Sequence, residues 1–114
     1  MSQKNNPILS LLGLCARGRN LVSGGFAVEK AIKDGGALIV IVAKDASDNT
    51  QKKFKDMCSY RNIPIYLYSD KEVLGHAIGQ EERSSIAILD PGFSKNLAQK
   101  LDSVEAMEVV DESK

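Results

Sequence analysis

Phe26 and Lys30 stand four residues apart behind the run Ser23-Gly24-Gly25, and Lys33 follows a turn later. In a helix, residues four apart lie one above the other, so this spacing puts a ring and an ammonium on one face near the helix start. A helix start leaves backbone N–H groups unpaired and carries partial positive charge, which favours phosphate. An exposed aromatic beside two lysines at such a mouth is equipped to stack on a nucleobase while pairing with its phosphate. The competing reading of the same residues is structural, with Phe26 covering local apolar surface and the lysines as ordinary solvated side chains. At 100° per residue, Gly24, Ala27, Val28, Ala31, Ile32 and Gly35 fall on the opposite side, which would face a core.

The other residue types capable of chemistry are scattered. Cys15 and Cys58 sit in apolar helical patterns and read as small buried hydrophobes. The sequence has no C-x-x-C pair, and a lone His76 makes no metal site. Asp45 follows an apolar run, as a phosphoryl acceptor would, but no further carboxylate to gather Mg²⁺ follows the first extended segment. Asp70 and Asp90 are better explained as helix caps. Neither cysteine nor His76 has a base or orienting partner at readable spacing. No catalytic residue, metal or cofactor is therefore expected.

These residues must be positioned by one domain, since 114 residues suffice for a real core but not for two. An apolar fraction of 43% with 26% charged residues is ordinary for a globular protein. Fifteen basic and fifteen acidic residues cancel, yet they are unevenly placed. Residues 1–44 carry six basic against two acidic residues, a net of +4; residues 45–101 balance at eight and eight. Residues 102–114 carry five acidic residues against Lys114, a net of −4. The asymmetry points to a polyanion-binding face in the first half. No signal peptide or apolar run of membrane-spanning length is present, and a cytoplasmic protein with reduced thiols is expected.

Pro7, Ile8, Leu11, Leu12 and Cys15 predict a first helix over 7–17, ended by Gly18 in a left-handed cap. Leu21-Val22 is a short extended piece, and the Ser23 hydroxyl is placed to cap the second helix, which Gly35-Gly36 stops. Ala37 to Ala43 is a continuous apolar run, the signature of a strand buried on both faces. Lys44 follows at its carboxyl end, where α/β folds place binding loops. Ser47 or Asp48 opens a third helix, 49–61, with Phe54, Met57, Cys58 and Arg61 at helical spacing. Ile63 to Tyr68 is extended, and Ser69 with Glu72 forms a capping box for a fourth helix that Gly79 ends. Ser85 to Leu89 is another buried strand. Asp90-Pro91 begins a last helix through Phe93, Leu97 and Leu101. Residues 102–114 form an acidic tail expected to be mobile. Helices alternating with short buried strands make a three-layer α/β/α sandwich over residues 1–101.

With the elements placed, the sequence resembles the superfamily of small ribosomal-type proteins that bind kink-turn RNA, and within it the bacterial YlxQ-type branch. The matching residues are Leu11-Leu12-Gly13-Leu14-Cys15-Ala16-Arg17, then Val22-Ser23-Gly24 with Lys30-Ala31-Ile32 and Gly35. Further on come Val42-Ala43-Lys44-Asp45-Ala46-Ser47, Ile63-Pro64-Ile65, Leu74-Gly75-His76-Ala77-Ile78-Gly79 and Ile86-Ala87-Ile88. The resemblance implies a mixed four-stranded sheet within the sandwich, no enzymatic activity, and a grip on structured RNA by a monomer. That RNA would be a kink-turn or similar, including ribosomal RNA. The grip would come from the start of the second helix, at Gly24, Gly25, Phe26, Ala27, Lys30 and Lys33, and from the loop before the last strand, at Arg83 and Ser84. Lys44 and Lys71 would add contacts to the RNA backbone. Tight binders in the family show Gly-x-Asn-Glu-x-x-Lys at that helix start, where the polar pair reads guanine edges. Here Phe26 and Ala27 stand in the places of Asn and Glu. Glu81 and Glu82 in the loop would repel phosphate, and the alternative on the same scaffold is a protein-interaction module.

Overall fold

A computed structural model of the chain describes residues 6–112, with side chains followed as far as residue 105. The elements run α1 (Pro7–Arg17), β1 (Leu21–Ser23), α2 (Gly25–Asp34), β2 (Ile39–Val42), α3 (Asp48–Arg61), β3 (Ile65–Leu67), α4 (Lys71–Ala77), β4 (Ser85–Ile88) and α5 (Pro91–Glu112). The strands form one mixed sheet in the order β1-β4-β2-β3, with β2 and β3 parallel and β4 antiparallel to both of its neighbours.

The continuous apolar runs are explained by helices on both sheet faces. Strand side chains alternate between faces, so both sets must be apolar if both faces are covered. Val40, Val42 and Ala87 pack with Val28 and Ile32 of α2 and with Phe54 and Cys58 of α3. Ile39, Ile41, Ile86 and Ile88 pack on the opposite face with Leu12 of α1, Leu74 of α4 and Leu97 of α5. This is the expected three-layer sandwich. The odd and even positions of β2 belong to different cores, and a register slip of one residue would exchange them.

Several local expectations give way to tertiary contacts. Gly18 is not left-handed (φ −88°); Arg19 takes that conformation (φ 59°), with the Asn20 and Arg19 N–H groups donating to Cys15 and Ala16 carbonyls. Ser23 does not cap α2; Gly24 occupies that position with no side-chain cap. Ser69 does not cap α4 either, because it sits at φ 60° with its carbonyl accepting from the Lys44 N–H. Asp70 caps instead, its carboxylate accepting from the Val73 N–H at 2.8 Å. Arg61, placed by spacing on the inner face of α3, is exposed. Asp90 does cap α5 as expected, accepting from the Phe93 N–H at 2.9 Å.

α5 continues past Leu101 to Glu112. Asp102 accepts a hydrogen bond from the Tyr66 hydroxyl at 2.8 Å, and Val104 packs against the core, so the helix stays engaged beyond the expected boundary at 101. The expectations for residues 1–5 and 113–114 lie outside the described residues.

Candidate nucleic-acid interface

The sheet topology brings the candidate residues to one end of the molecule. β1, β2 and β3 finish there, β4 begins there, and α2, α3 and α4 each start from that end. Helix starts gathered at one end add their partial positive charges, whatever the balance of side chains.

Gly24 makes the turn from β1 directly into α2. At φ 93° it adopts a conformation that a side chain disfavours, while its N–H donates to the Ser85 carbonyl and its carbonyl accepts from the Val28 N–H. With no side chain capping α2, the N–H groups of its first turn, at Gly25, Phe26 and Ala27, have no intrahelical acceptor. Gly25 is exposed and Ala27 half-buried, so an anion can approach these donors. Phe26 is 85% exposed, an uncommon position for a large apolar ring.

Lys30 points outward, its ammonium 2.9 Å from Asp34 one turn on. Lys33 pairs with Glu29 at 3.0 Å, and Lys53 of α3 reaches the other oxygen of the same carboxylate at 2.6 Å. These two cations hold the Glu29 carboxyl below the usual carboxylate range, the Lys53 hydrogen bond being the larger cause. Lys33 thus belongs to a latch between α2 and α3 rather than to the mouth.

The remaining candidates are tied together by a chain of hydrogen bonds. The Lys44 N–H donates to the Ser69 carbonyl, and the Lys71 N–H donates to Asp45 Oδ1 at 2.9 Å. The Lys71 carbonyl accepts from the Arg83 N–H, and the Ser84 carbonyl accepts from the Ala43 N–H. Arg83 Nε donates to Ser23 Oγ at 3.1 Å, and its two terminal nitrogens donate to the Glu82 carbonyl and to Gln80 Oε1. Arg83 therefore fastens the loop of residues 80–84 to the end of β1, beside the α2 mouth. Glu82 lies 3.8 Å from the Lys71 ammonium, which offsets part of its repulsion toward phosphate.

Sequence reasoning missed three members of this arrangement. Ser23 serves as the acceptor that fixes Arg83, Asp45 as the acceptor that holds the start of α4, and Glu29 as the hub of the latch. Their partners lie 60 residues away for Ser23 and 26 for Asp45, so no local spacing signals those two, whereas the four-residue spacing of Glu29 and Lys33 signals half of the latch.

Two hollows flank the Phe26 ring. One, of about 350 Å³, runs between α2 and β1 and is lined by Val22, Ala27, Ala31 and Leu89, with Lys30 and Asp34 also on its wall. The other, of about 270 Å³, lies along the outer side of α2 among Glu29, Lys30, Lys33 and Asp34. The thiols lie elsewhere: Cys15 and Cys58 are buried, and desolvation pushes both up to about 11, with Asp90 adding to the shift of Cys15. Among the described residues no group of three or more His, Cys, Asp or Glu side chains is placed to hold a metal ion. No described helix is long and apolar enough to cross a membrane.

The fold recurs in known proteins. The chain is 42% identical over 92 residues to the RNA-binding protein YlxQ of Bacillus subtilis, covering 81% of this chain and 92% of that protein. It is 37% identical over 95 residues to the RNA-binding protein YlxQ of Enterococcus faecium, covering 82% and 90%. A solved structure of a protein of unknown function from Bacillus halodurans superposes with a TM-score of 0.82 at 43% identity, over 84% of this chain and 97% of that one. The 15.5 kD RNA-binding protein of Giardia lamblia shares the fold, with a TM-score of 0.72 at 20% identity over 84% and 85% of the two chains. The ribosomal protein L7Ae/L30e/S12e/Gadd45 family profile matches residues 7–98, and with these relatives it makes the chain a YlxQ-type member of that family.

Proposed function

We propose that this protein is a non-enzymatic RNA-binding protein that grips a kink-turn or similarly folded RNA with the start of α2 and the loop of residues 80–84. The observation that carries this reading is the open α2 mouth, with exposed Gly25 and Phe26 and an outward Lys30, fastened by Arg83 to the neighbouring loop. Gly25, Phe26 and Ala27 offer backbone donors to phosphate, Gly24 makes the turn that leaves them open, and Lys30, Lys44 and Lys71 supply charge around them. Arg83 and Ser84 shape the loop that closes over the RNA. The relatives named as RNA-binding proteins support the same reading. In it the chain acts in the cytoplasm, as a monomer and as part of a ribonucleoprotein.

Filter binding with a kink-turn RNA, a mismatched-bulge RNA and a plain duplex tests it. Preference for the kink-turn over the other two is the expected result. Equal affinity for all three would refute the folded-RNA reading. The exposure of Phe26 favours a second reading, a protein-docking module with a weakened RNA site. Pull-downs before and after nuclease treatment separate the two, since partners held through RNA are lost on digestion.

A further inference from the structure

Phe26 holds its ring 85% exposed in the first turn of α2. The larger hollow beside it is an apolar trough, lined by Val22, Ala27, Ala31 and Leu89 together with the ring itself. Lys30 and Asp34 stand on the same wall, paired at 2.9 Å with both side chains largely exposed. The trough is thus an open apolar surface with an ion pair beside it, and its lining includes Phe26 and Ala27 of the first turn of α2.

We propose that this trough seats one unpaired nucleobase of the bound RNA, stacked on Phe26, with Lys30 exchanging Asp34 for that nucleotide's phosphate. The proposal rests on the RNA-binding reading above and adds to it the class of nucleotide recognised. A base has an apolar face to lay on the Phe26 ring, and its own phosphate stays within a few ångströms, which the spacing of Phe26 and Lys30, ~6 Å along the helix axis, accommodates. Stacking tolerates any base, so the site selects for an unstacked nucleotide rather than for a letter. A nucleotide brings a phosphate that can compete with Asp34 for the exposed Lys30 ammonium, a gain that an apolar peptide cannot make.

The test uses two synthetic kink-turn RNAs that differ only by one unpaired nucleotide next to the motif, made as the fluorescent base 2-aminopurine. Stacking on Phe26 is expected to quench that base when wild-type protein binds. Phe26→Ala should remove the quenching and weaken binding of this RNA by about ten-fold, a clearly larger loss than for the RNA lacking the nucleotide. Lys30→Glu should weaken both. If Phe26→Ala changes neither quenching nor affinity while Lys30→Glu weakens both, the base seat is overturned and the grip at the mouth stands; the trough, beside the open edge of β1, is then left to a polypeptide. If Lys30→Glu weakens neither, the grip fails and the seat with it. Phe26 is exposed, so unchanged melting temperatures will show that both variants remain folded.

Discussion

Lys30 is the residue on which the proposed grip turns, and its ion pair decides how readily it acts. An exposed pair such as Lys30–Asp34 contributes only about 0.2–1 kcal/mol, so a phosphate can displace the carboxylate at small cost. Lys30→Glu should weaken binding to every RNA and reduce the slope of log affinity against log salt by about one, as loss of one phosphate contact requires. Asp34→Asn, which frees the cation, should tighten binding by no more than about five-fold at low salt. Isotherms at several salt concentrations check both. Glu29 behaves differently because two lysines hold it charged. A carboxyl lowered in the folded state stabilises above its ordinary range and loses that contribution as pH falls, so the α2–α3 latch weakens only in acid.

Between elements, the loop of residues 80–84 depends on a close approach that a glycine permits. A Cβ on Gly75 would fall 1.5 Å from the Glu81 carbonyl oxygen, a backbone atom that cannot swing aside. Gly75→Ala must therefore push the loop off α4 and strain the Arg83 bond to Ser23. We expect destabilisation of at least about 1–3 kcal/mol in urea, as for an overpacked core, with faster hydrogen exchange at residues 80–84. An unchanged urea midpoint would show that α4 and the loop separate more freely than this contact allows. Gly24 plays the corresponding part at the α2 mouth, where its positive φ removes the need for a connecting loop.

At the scale of the molecule, two buried thiols and a buried phenol set its response to alkali. Burial, assisted by Asp102, pushes Tyr66 from 10.0 up to about 12, and burial pushes Cys15 and Cys58 from 9.0 to about 11. The folded state favours all three neutral forms. Their contribution is complete below the ordinary values and disappears as pH rises through about 11 to 12. Denaturation midpoints should hold steady through neutral pH and fall between pH 9 and 12. Tyr66→Phe, which leaves the Asp102 carboxylate without its donor, should remove the phenol part of that fall. For the same reason a thiol reagent should label Cys15 and Cys58 only as fast as the protein opens, which makes labelling a measure of unfolding.

How much of this was legible in the sequence follows from the range of each interaction. The spans of α1 and α3, the doubly buried strands and the outward face of α2 with Phe26 and Lys30 were set by local periodicity, because burial of an apolar face repeats every 2 or 3.6 residues. The caps at Ser23 and Ser69 were misassigned, since each residue had local cap chemistry but a stronger long-range role, Ser23 with Arg83 and Ser69 with the Lys44 N–H. The joining of Lys44, Asp45, Lys71 and Arg83 into one surface, the latch through Glu29, and the trough beside Phe26 arise only when strands from distant parts of the chain pair. Sequence alone determined the core faces of α1, α2 and the central strands, though spacing misplaced Arg61 on α3; tertiary structure decided which of the exposed residues meet, because hydrogen bonds and hollows between distant segments leave no periodic trace in the chain that forms them.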